Sequence, residues 1–493
     1  MTNTSYNNGQ PLVSAPSATY QGISHDGVNR FLGIRYASPP VGGRRFRAPE
    51  LLPDTSSTIQ ATQFGAHSYQ HGLPEILQKG FAVQGKASED CLFLNVYAPG
   101  EHSNNAPVMV WIHGGAFIGG EGAQYDPHNL VQEHGVVVVT INYRLGLFGF
   151  VDLRAYGDEF AGSNNLGLQD QISALTWVSR NIEAFGGDPD NVTIWGESAG
   201  AGSVLALLGA PSAESLFHKA MAFSGGETLV PSFPQTALLA PHLGLEPDDH
   251  LLDPLMTMYA SEINRIQIAS MYYAGPSIDG VVVTRPACEA IKDGGASHIP
   301  IITGSTKDEG TLLAPDWAVN KEVLAGTIFA LAGSVSRDDG QTYRDYLSSQ
   351  FGHLSGVDQL SQVWSDLFRS AGLRVAKIAS EYGAGGWTYQ FEVETEHPLG
   401  VTHFSDVPFA FNWVKPGHPK LFAHEPTQAN QQLSKQWSST LVAFARNGTP
   451  SGAGLPDWPT YNSPRLESLR LSHSPEIVSR YEGDSLLKLY RVI

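Results

Sequence analysis

A serine set between two glycines, where a strand-like run meets a helix-like run, restricts this chain more than any other feature. Val192 to Trp195 is short, β-branched and aromatic, Gly196-Glu197-Ser198-Ala199-Gly200 follows at once, and Ala201 to Leu208 is helix-compatible. A G-x-S-x-G turn in that setting holds its serine in a strained conformation, and small neighbours are required because the backbone folds back so tightly. The helix start also puts Ser198 Oγ at the positive end of a helix dipole, where developing negative charge is favoured, and the Ala199 N–H points the same way. The bare pentapeptide is as readily a glycine-rich turn with an idle serine; the strand before it and the helix after it point to chemistry.

Similar short apolar runs recur at Val108 to Ile112, Val136 to Ile141, Pro300 to Thr303 and Trp387 to Val393. The longer stretches between them have room for helical crossovers, the pattern of a mostly parallel sheet flanked by helices, so the expected class is α/β. No linker, charge block or internal repeat divides the 493 residues, which predicts one catalytic domain over 1–493. Residues 230–273 (Val230 to Tyr273) are mostly helix-compatible and read either as a cap inserted over the active site or as ordinary surface helices.

A serine nucleophile for acyl transfer needs backbone N–H donors aimed at the tetrahedral oxyanion. The segment Trp111-Ile112-His113-Gly114-Gly115-Ala116-Phe117 leaves a strand-like run and has glycines that let its N–H groups turn inward, as an H-G-G-G-type loop does. The chain order nucleophile, acid, histidine then directs attention to later residues. Ser305-Thr306-Lys307-Asp308-Glu309-Gly310 follows a strand-like run with two adjacent carboxylates, and side-chain chemistry does not choose between Asp308 and Glu309. Of the later histidines, His403 lies in a loop between Trp387 to Val393 and the apolar Phe409 to Phe411. Its nearest rival, His397, precedes a proline in a polar stretch and reads as a turn residue, and His418 and His424 lie in similarly polar sequence.

Composition narrows the function classes. With 42% hydrophobic and 16% charged residues the chain has the apolar surface for a large core, and its formal charge of -18 disfavours nucleic acid and anionic membranes as partners. The first twenty residues lack the basic and apolar regions of a signal peptide, and no apolar run approaches the roughly 20 residues of a membrane span. A soluble, cytoplasmic protein is the expectation, with a secreted protein whose leader has been removed as the alternative. Cys91 and Cys288 are the only cysteines and are expected to be free thiols.

Taken together these residues resemble the type-B carboxylesterase/lipase family, which includes the cholinesterases and bacterial para-nitrobenzyl esterases. The likeness extends to Phe31-Leu32-Gly33-Ile34-Arg35-Tyr36-Ala37, Arg45-Phe46, Ser88 to Val96, Asn142 to Gly146, Asn165 to Gln171 and Phe185 to Pro189, nearly the whole chain. It implies an α/β-hydrolase fold and a serine carboxylesterase with Ser198 as nucleophile, Glu309 as acid and His403 as base, Asp308 becoming the runner-up. Oxyanion donors fall on the N–H groups of Gly115, Ala116 and Ala199. Ser224 and Asp406 match a pair that supports the catalytic histidine, with Asp406 in place of the usual glutamate, and Glu197 joins them behind the triad. In the family Cys91 pairs with an upstream cysteine; here Ser68 stands at the matching position, so the intervening loop is expected to be unstapled. That loop also has no tryptophan for a cation-π contact, which argues against choline esters.

The implied chemistry is attack of Ser198 on a small-molecule ester, an acyl-enzyme, and its hydrolysis, with no metal or organic cofactor. Phe117 and Phe404 are candidates for an apolar substrate pocket. The Gly-Gly-Ala-Phe loop resembles that of family members accepting bulky, even tertiary, alcohol esters. Two other readings use the same residues differently: acyl transfer to an acceptor other than water, and a non-catalytic binding scaffold on the same fold. Members of the latter kind typically lack a triad residue, whereas all three are present here.

Overall fold

In the computed structural model the described residues are 4–7, 9–70, 83–100, 105–226, 236–246, 249–270, 272, 275–313, 340–416, 424–452, 454–462 and 464–479. They group into two compact units, Met1–Ala220 with Thr228–Ala290, and Met221–Glu227 with Ile291–Ile493.

The first unit is built on a mixed sheet. Its strands are β1 (Val28–Arg35), β2 (Phe93–Pro99), β3 (Ala106–Ile112), β4 (Val137–Ile141) and β5 (Gly187–Glu197), in the spatial order β5-β3-β4-β2-β1. β3 and β4 are buried along their whole length, which is why they read as unbroken runs of Val, Ile and Trp and not as alternating ones. β3 runs parallel to β4 and β5, while β2 is antiparallel to β4 and β1. Register pairs Trp195 with Trp111, and their indoles meet edge to face at 4.6 Å, with Tyr125 against Trp111 at 4.8 Å. Helix α1 (Ala199–Leu208) follows β5 after one residue; all ten of its residues are buried, Ser203 among them with its hydroxyl accepting from Gln171 Nε2 at 2.9 Å.

The expected helical stretch 230–273 contains helices at Thr236–Leu243, Leu252–Thr257 and Ala260–Ala269; residues 227–235, 247, 248, 271 and 273 lie outside the described ones. Leu252–Thr257 is tied down by Arg45, whose guanidinium donates to the carbonyls of Leu255 and Met258, each at 2.8 Å, while pairing with Glu89 at 2.6 Å. Gln267 on the last helix is fully buried and accepts the Leu147 N–H at 2.9 Å.

The second unit carries β6 (Ile301–Thr306), helix α2 (Gly356–Tyr382), β7 (Gly386–Phe391), helix α3 (Gln428–Asn447), β8 (Glu467–Leu471) and β9 (Glu476–Ser479). β6, β7 and β8 are parallel and β9 is antiparallel to β8. Both long helices have side-chain N-caps: Ser355 accepts from Asp358 N and Thr427 from Asn430 N. α3 stops at Gly448, which takes the left-handed φ of 78° that a C-terminal glycine allows. Over β7 lies an aromatic stack in which Tyr389 meets Trp437 at 4.7 Å and Trp437 meets Trp458 at 6.0 Å.

Neither Cys91 nor Cys288 forms a disulfide. Cys91 is buried, hydrogen-bonded to Ser68 and pushed far above the usual thiol range by burial, so Ser68 occupies the place where the family resemblance puts a second cysteine. Among the described residues, no helix is long and apolar enough to cross a membrane.

Candidate active site

The turn after β5 is as tight as its glycines suggest. Ser198 has φ 56° and ψ −122°, a backbone conformation that a side chain disfavours, and it caps α1 without a side-chain hydrogen bond to the helix. A Cβ on Gly200 would lie 2.0 Å from the Ile112 carbonyl oxygen, and one on Gly196 2.6 Å from the same atom. The helix start and the strand end therefore press on β3 at one point, and that point is buried backbone. Gly200→Ala is expected to cost about 3 kcal/mol or more of stability, measured by urea denaturation, because the clash has no flexible side chain to absorb it.

The loop leaving β3 comes just as close to this turn. A Cβ on Gly114 would stand 2.7 Å from Glu197 O and 3.1 Å from Ser198 Cβ. Gly115, Ala116 and Phe117 follow with φ of 109°, 53° and 60°, two of them non-glycine residues held left-handed. The loop is held by its own contacts: Gly119 N donates to Gly115 O at 2.9 Å, and Gly146 N donates to Phe117 O at 2.8 Å. Gly120 N donates to Gln70 Oε1 at 2.9 Å. His113 lies under it, its Nδ1–H donating to Gly114 O at 2.8 Å, its ring stacked 4.4 Å from Tyr143, whose hydroxyl donates to His113 O. The sequence singles out His113 only as part of the loop; its bracing role with Tyr143 and Gln70 depends on residues distant in the chain.

In the second unit the acidic turn and the histidine loop meet. Glu309 is fully buried, and its Oε2 lies 2.5 Å from His403 Nδ1. Its Oε1 accepts from Ser224 Oγ and from the Thr306 backbone N–H, each at 2.6 Å. Ser224 itself has φ 50° and donates its N–H to Gly304 O at 2.8 Å. The contact of Ser224 seen here is thus with the acid, one step behind the histidine. Asp308, the alternative carboxylate, faces elsewhere: its Oδ2 accepts the Val401 N–H at 2.9 Å. Asp406 is buried and accepts the Tyr389 hydroxyl; burial, opposed by that hydrogen bond and reinforced by the Glu309 charge, pushes its carboxyl up to about 6. Phe368 stacks on the His403 ring at 5.0 Å. Phe117 and Phe404 are both buried; Phe117 packs edge-on against Phe150, and Phe404 has φ 76°.

His397 and His424 are placed differently from His403. His397 accepts the Leu399 N–H in a turn, as its sequence suggests, and His418 lies outside the described residues. His424 differs from the polar surroundings expected of it: only 5% exposed, it lies edge-on to Phe409 at 5.1 Å and Phe391 at 6.0 Å. Burial, with the His473 and His397 charges adding to it, pushes its imidazole down to about 4, and burial does the same to His113. Both are neutral in the fold, whereas in the unfolded chain each takes up a proton near pH 6.5. Their stabilisation is therefore whole above about pH 6.5 and drains away as the pH falls toward 4, by about 3 kcal/mol each. Urea denaturation at pH 7, 5.5 and 4.5 measures this loss, and His424→Leu is expected to flatten it by about half.

The model of the Carboxylesterase family matches residues 10–486. The chain belongs to that family. Its carboxylesterase relatives include the para-nitrobenzyl esterase of Bacillus subtilis (strain 168), 35% identical over 97% of this chain and 98% of that protein. Another is the phenmedipham hydrolase of Pseudarthrobacter oxydans, 31% identical over 92% and 93%. Among solved structures, a thermophilic PNB esterase superposes with a TM-score of 0.86 at 33% identity, covering 97% of this chain and 99% of its own. A Geobacillus stearothermophilus carboxylesterase superposes with 0.82 at 32% identity. The expected α/β-hydrolase fold and carboxylic-ester hydrolase activity are those of this carboxylesterase.

Proposed function

We propose that this carboxylesterase works through an acyl-enzyme on Ser198, with His403 as general base and Glu309 as the acid that orients it, the chain serving as one catalytic domain. The observation that carries the reading is the buried Glu309–His403 contact at Nδ1, 2.5 Å, with the other carboxylate oxygen held by two donors. A carboxylate on Nδ1 fixes the imidazole tautomer that carries its lone pair on Nε2, the one that can accept a proton, and it stabilises the imidazolium that forms. Nε2 takes the Ser198 proton as Oγ attacks the ester carbonyl. The alcohol leaves with a proton from His403, and water then attacks the acyl-enzyme with His403 again as base.

The N–H groups of Gly115, Ala116 and Ala199 are proposed to receive the oxyanion. The left-handed Gly115 and Ala116 backbone supports this, as does the start of α1 immediately after Ser198. Ser224 is proposed to support Glu309 through its hydrogen bond, Asp406 is assigned a supporting role through its Tyr389 hydrogen bond, and Glu197, next to Ser198 in the chain, is assigned one as well. Phe117 and Phe404 each follow a catalytic segment directly in the chain and are proposed as apolar walls for the ester substrate. We place the enzyme in the cytoplasm, a reading supported by the serine, Ser68, that stands beside the buried Cys91 thiol, and checked by fractionating the source cells.

Stopped-flow mixing with para-nitrophenyl acetate and butyrate tests the mechanism. A burst of about one equivalent of para-nitrophenol before steady turnover is expected, because acylation releases the alcohol ahead of deacylation. Turnover that persists in Ser198→Ala would remove Ser198 from the role.

A further inference from the structure

The carboxylate next to the acid has a job of its own. Asp308 and the loop before His403 are joined by a two-way contact: Asp308 N donates to Val401 O, and Val401 N donates to Asp308 Oδ2, each at 2.9 Å. Asp308, two residues past the end of β6, also forms an isolated parallel bridge with Thr402. Thr311 closes the other side, its Oγ1 lying 2.7 Å from Leu399 O and 2.8 Å from Thr402 Oγ1. At Gly400, with φ 65°, a Cβ would stand 2.5 Å from Asp308 Oδ2, so the loop can lie this close only without a side chain there. Thr402, fully buried, is the residue immediately before His403.

We propose that Asp308 is a positioning residue for His403: its carboxylate, with Thr311, locks segment 399–402 in register with the turn carrying Glu309. The inference rests on the assignment of Glu309 and His403 as the acid and base. Glu309 and His403 lie on separate stretches of chain, and the imidazole reaches the carboxylate only if those stretches keep a fixed offset. Phe368 packs on the ring face and does not fix that offset, since a stacked ring can slide in its plane. The Asp308 clasp joins the two backbones one residue before Glu309 and two before His403. A side chain that needs only to accept from Val401 N uses its oxygen, not its charge, and this separates clasp from electrostatics.

Asp308→Ala is expected to lower kcat for para-nitrophenyl acetate by about 10- to 100-fold, with KM changed less than about threefold, as misplacement of a catalytic group does. The acid limb of the kcat/KM profile should move to lower pH, because a loosened Glu309 contact stabilises the imidazolium less. Glu309 and Asp406 are the other carboxyl groups facing His403, and neither is changed in this variant. Asp308→Asn keeps an oxygen acceptor without the charge and is expected to restore most of kcat and the position of the limb. Equal effects of Asn and Ala would make the contribution one of charge and overturn the clasp. An alanine variant with lower Tm but unchanged kcat per burst-titrated site and an unmoved limb would reduce Asp308 to a structural part and likewise overturn it. If the alanine variant fails to fold, Thr311→Val tests the same clasp; a fall in kcat of about tenfold supports it and an unchanged kcat and limb refute it. Glu309→Gln, assayed in parallel, keeps the underlying assignment separate: if that variant is fully active the acid itself is misassigned, whereas its inactivity beside an active Asp308→Ala sinks only the clasp.

Discussion

Ser198→Ala lowers kcat for para-nitrophenyl esters by about four orders of magnitude or more, and Ser198→Gly lowers it as far while making the protein more stable than the alanine variant. The first half follows from the loss of Oγ, the atom proposed to form the acyl-enzyme. The second follows from backbone geometry. At φ 56° and ψ −122°, residue 198 occupies a region where any Cβ is crowded, and alanine keeps that Cβ while removing Oγ. Glycine relieves crowding of about 1–3 kcal/mol, offset by about 0.5–1 kcal/mol of extra chain entropy in the unfolded state, for a net gain of about 1 kcal/mol. Urea denaturation of the two inactive variants isolates this term, since neither differs in catalytic chemistry. A glycine variant no more stable than the alanine one would show that the turn is not strained at Ser198 and that its geometry is imposed at no cost.

The same residues show what can be read from sequence and what cannot. β3, β4 and the end of β5 are legible because a strand buried on both faces must be apolar throughout, and that leaves a local signature in Val108 to Ile112, Val136 to Ile141 and Val192 to Trp195. Gly196 and Gly200 are legible for a related reason, since a backbone contact at Ile112 O excludes every side chain. The choice between Asp308 and Glu309 is different in kind. Both are carboxylates in the same turn, and their roles are set by donors elsewhere: Ser224 for Glu309, and Val401 for Asp308. No local chemistry encodes that division, and only the resemblance to a family anticipates it. The burial of His424 is hidden likewise, because the two phenylalanines that enclose it, Phe391 and Phe409, lie on other segments. Ser224 reads as support for the histidine, whereas the fold spends its hydroxyl on the carboxylate, a distinction of one hydrogen bond that pattern alone does not make.

Glu309→Gln reduces kcat/KM at neutral pH by about 10⁴ with little change in stability, and the way Glu309 is held explains why so small a change is so costly. The glutamine has one acceptor oxygen and one NH₂ where the glutamate has two acceptors. Oε1 of Glu309 already receives two donors, the Ser224 hydroxyl and the Thr306 N–H, both at 2.6 Å. The backbone N–H cannot turn round to accept, so the amide oxygen must take this position and the NH₂ must face His403 Nδ1. Nδ1 then has to accept, which places the imidazole proton on Nε2 and leaves no lone pair there for the proton that the proposed mechanism takes from Ser198. The variant is folded, with its hydrogen bonds satisfied, and in the wrong tautomer. ¹⁵N NMR of the His403 imidazole distinguishes the two tautomers directly. Ser224→Ala combined with Glu309→Gln loosens one of the two constraints, but Thr306 N–H still demands an oxygen, so the double variant is expected to stay inactive. Recovery of activity in that double variant would mean that Ser224, and not the Thr306 backbone, dictates the orientation of the amide.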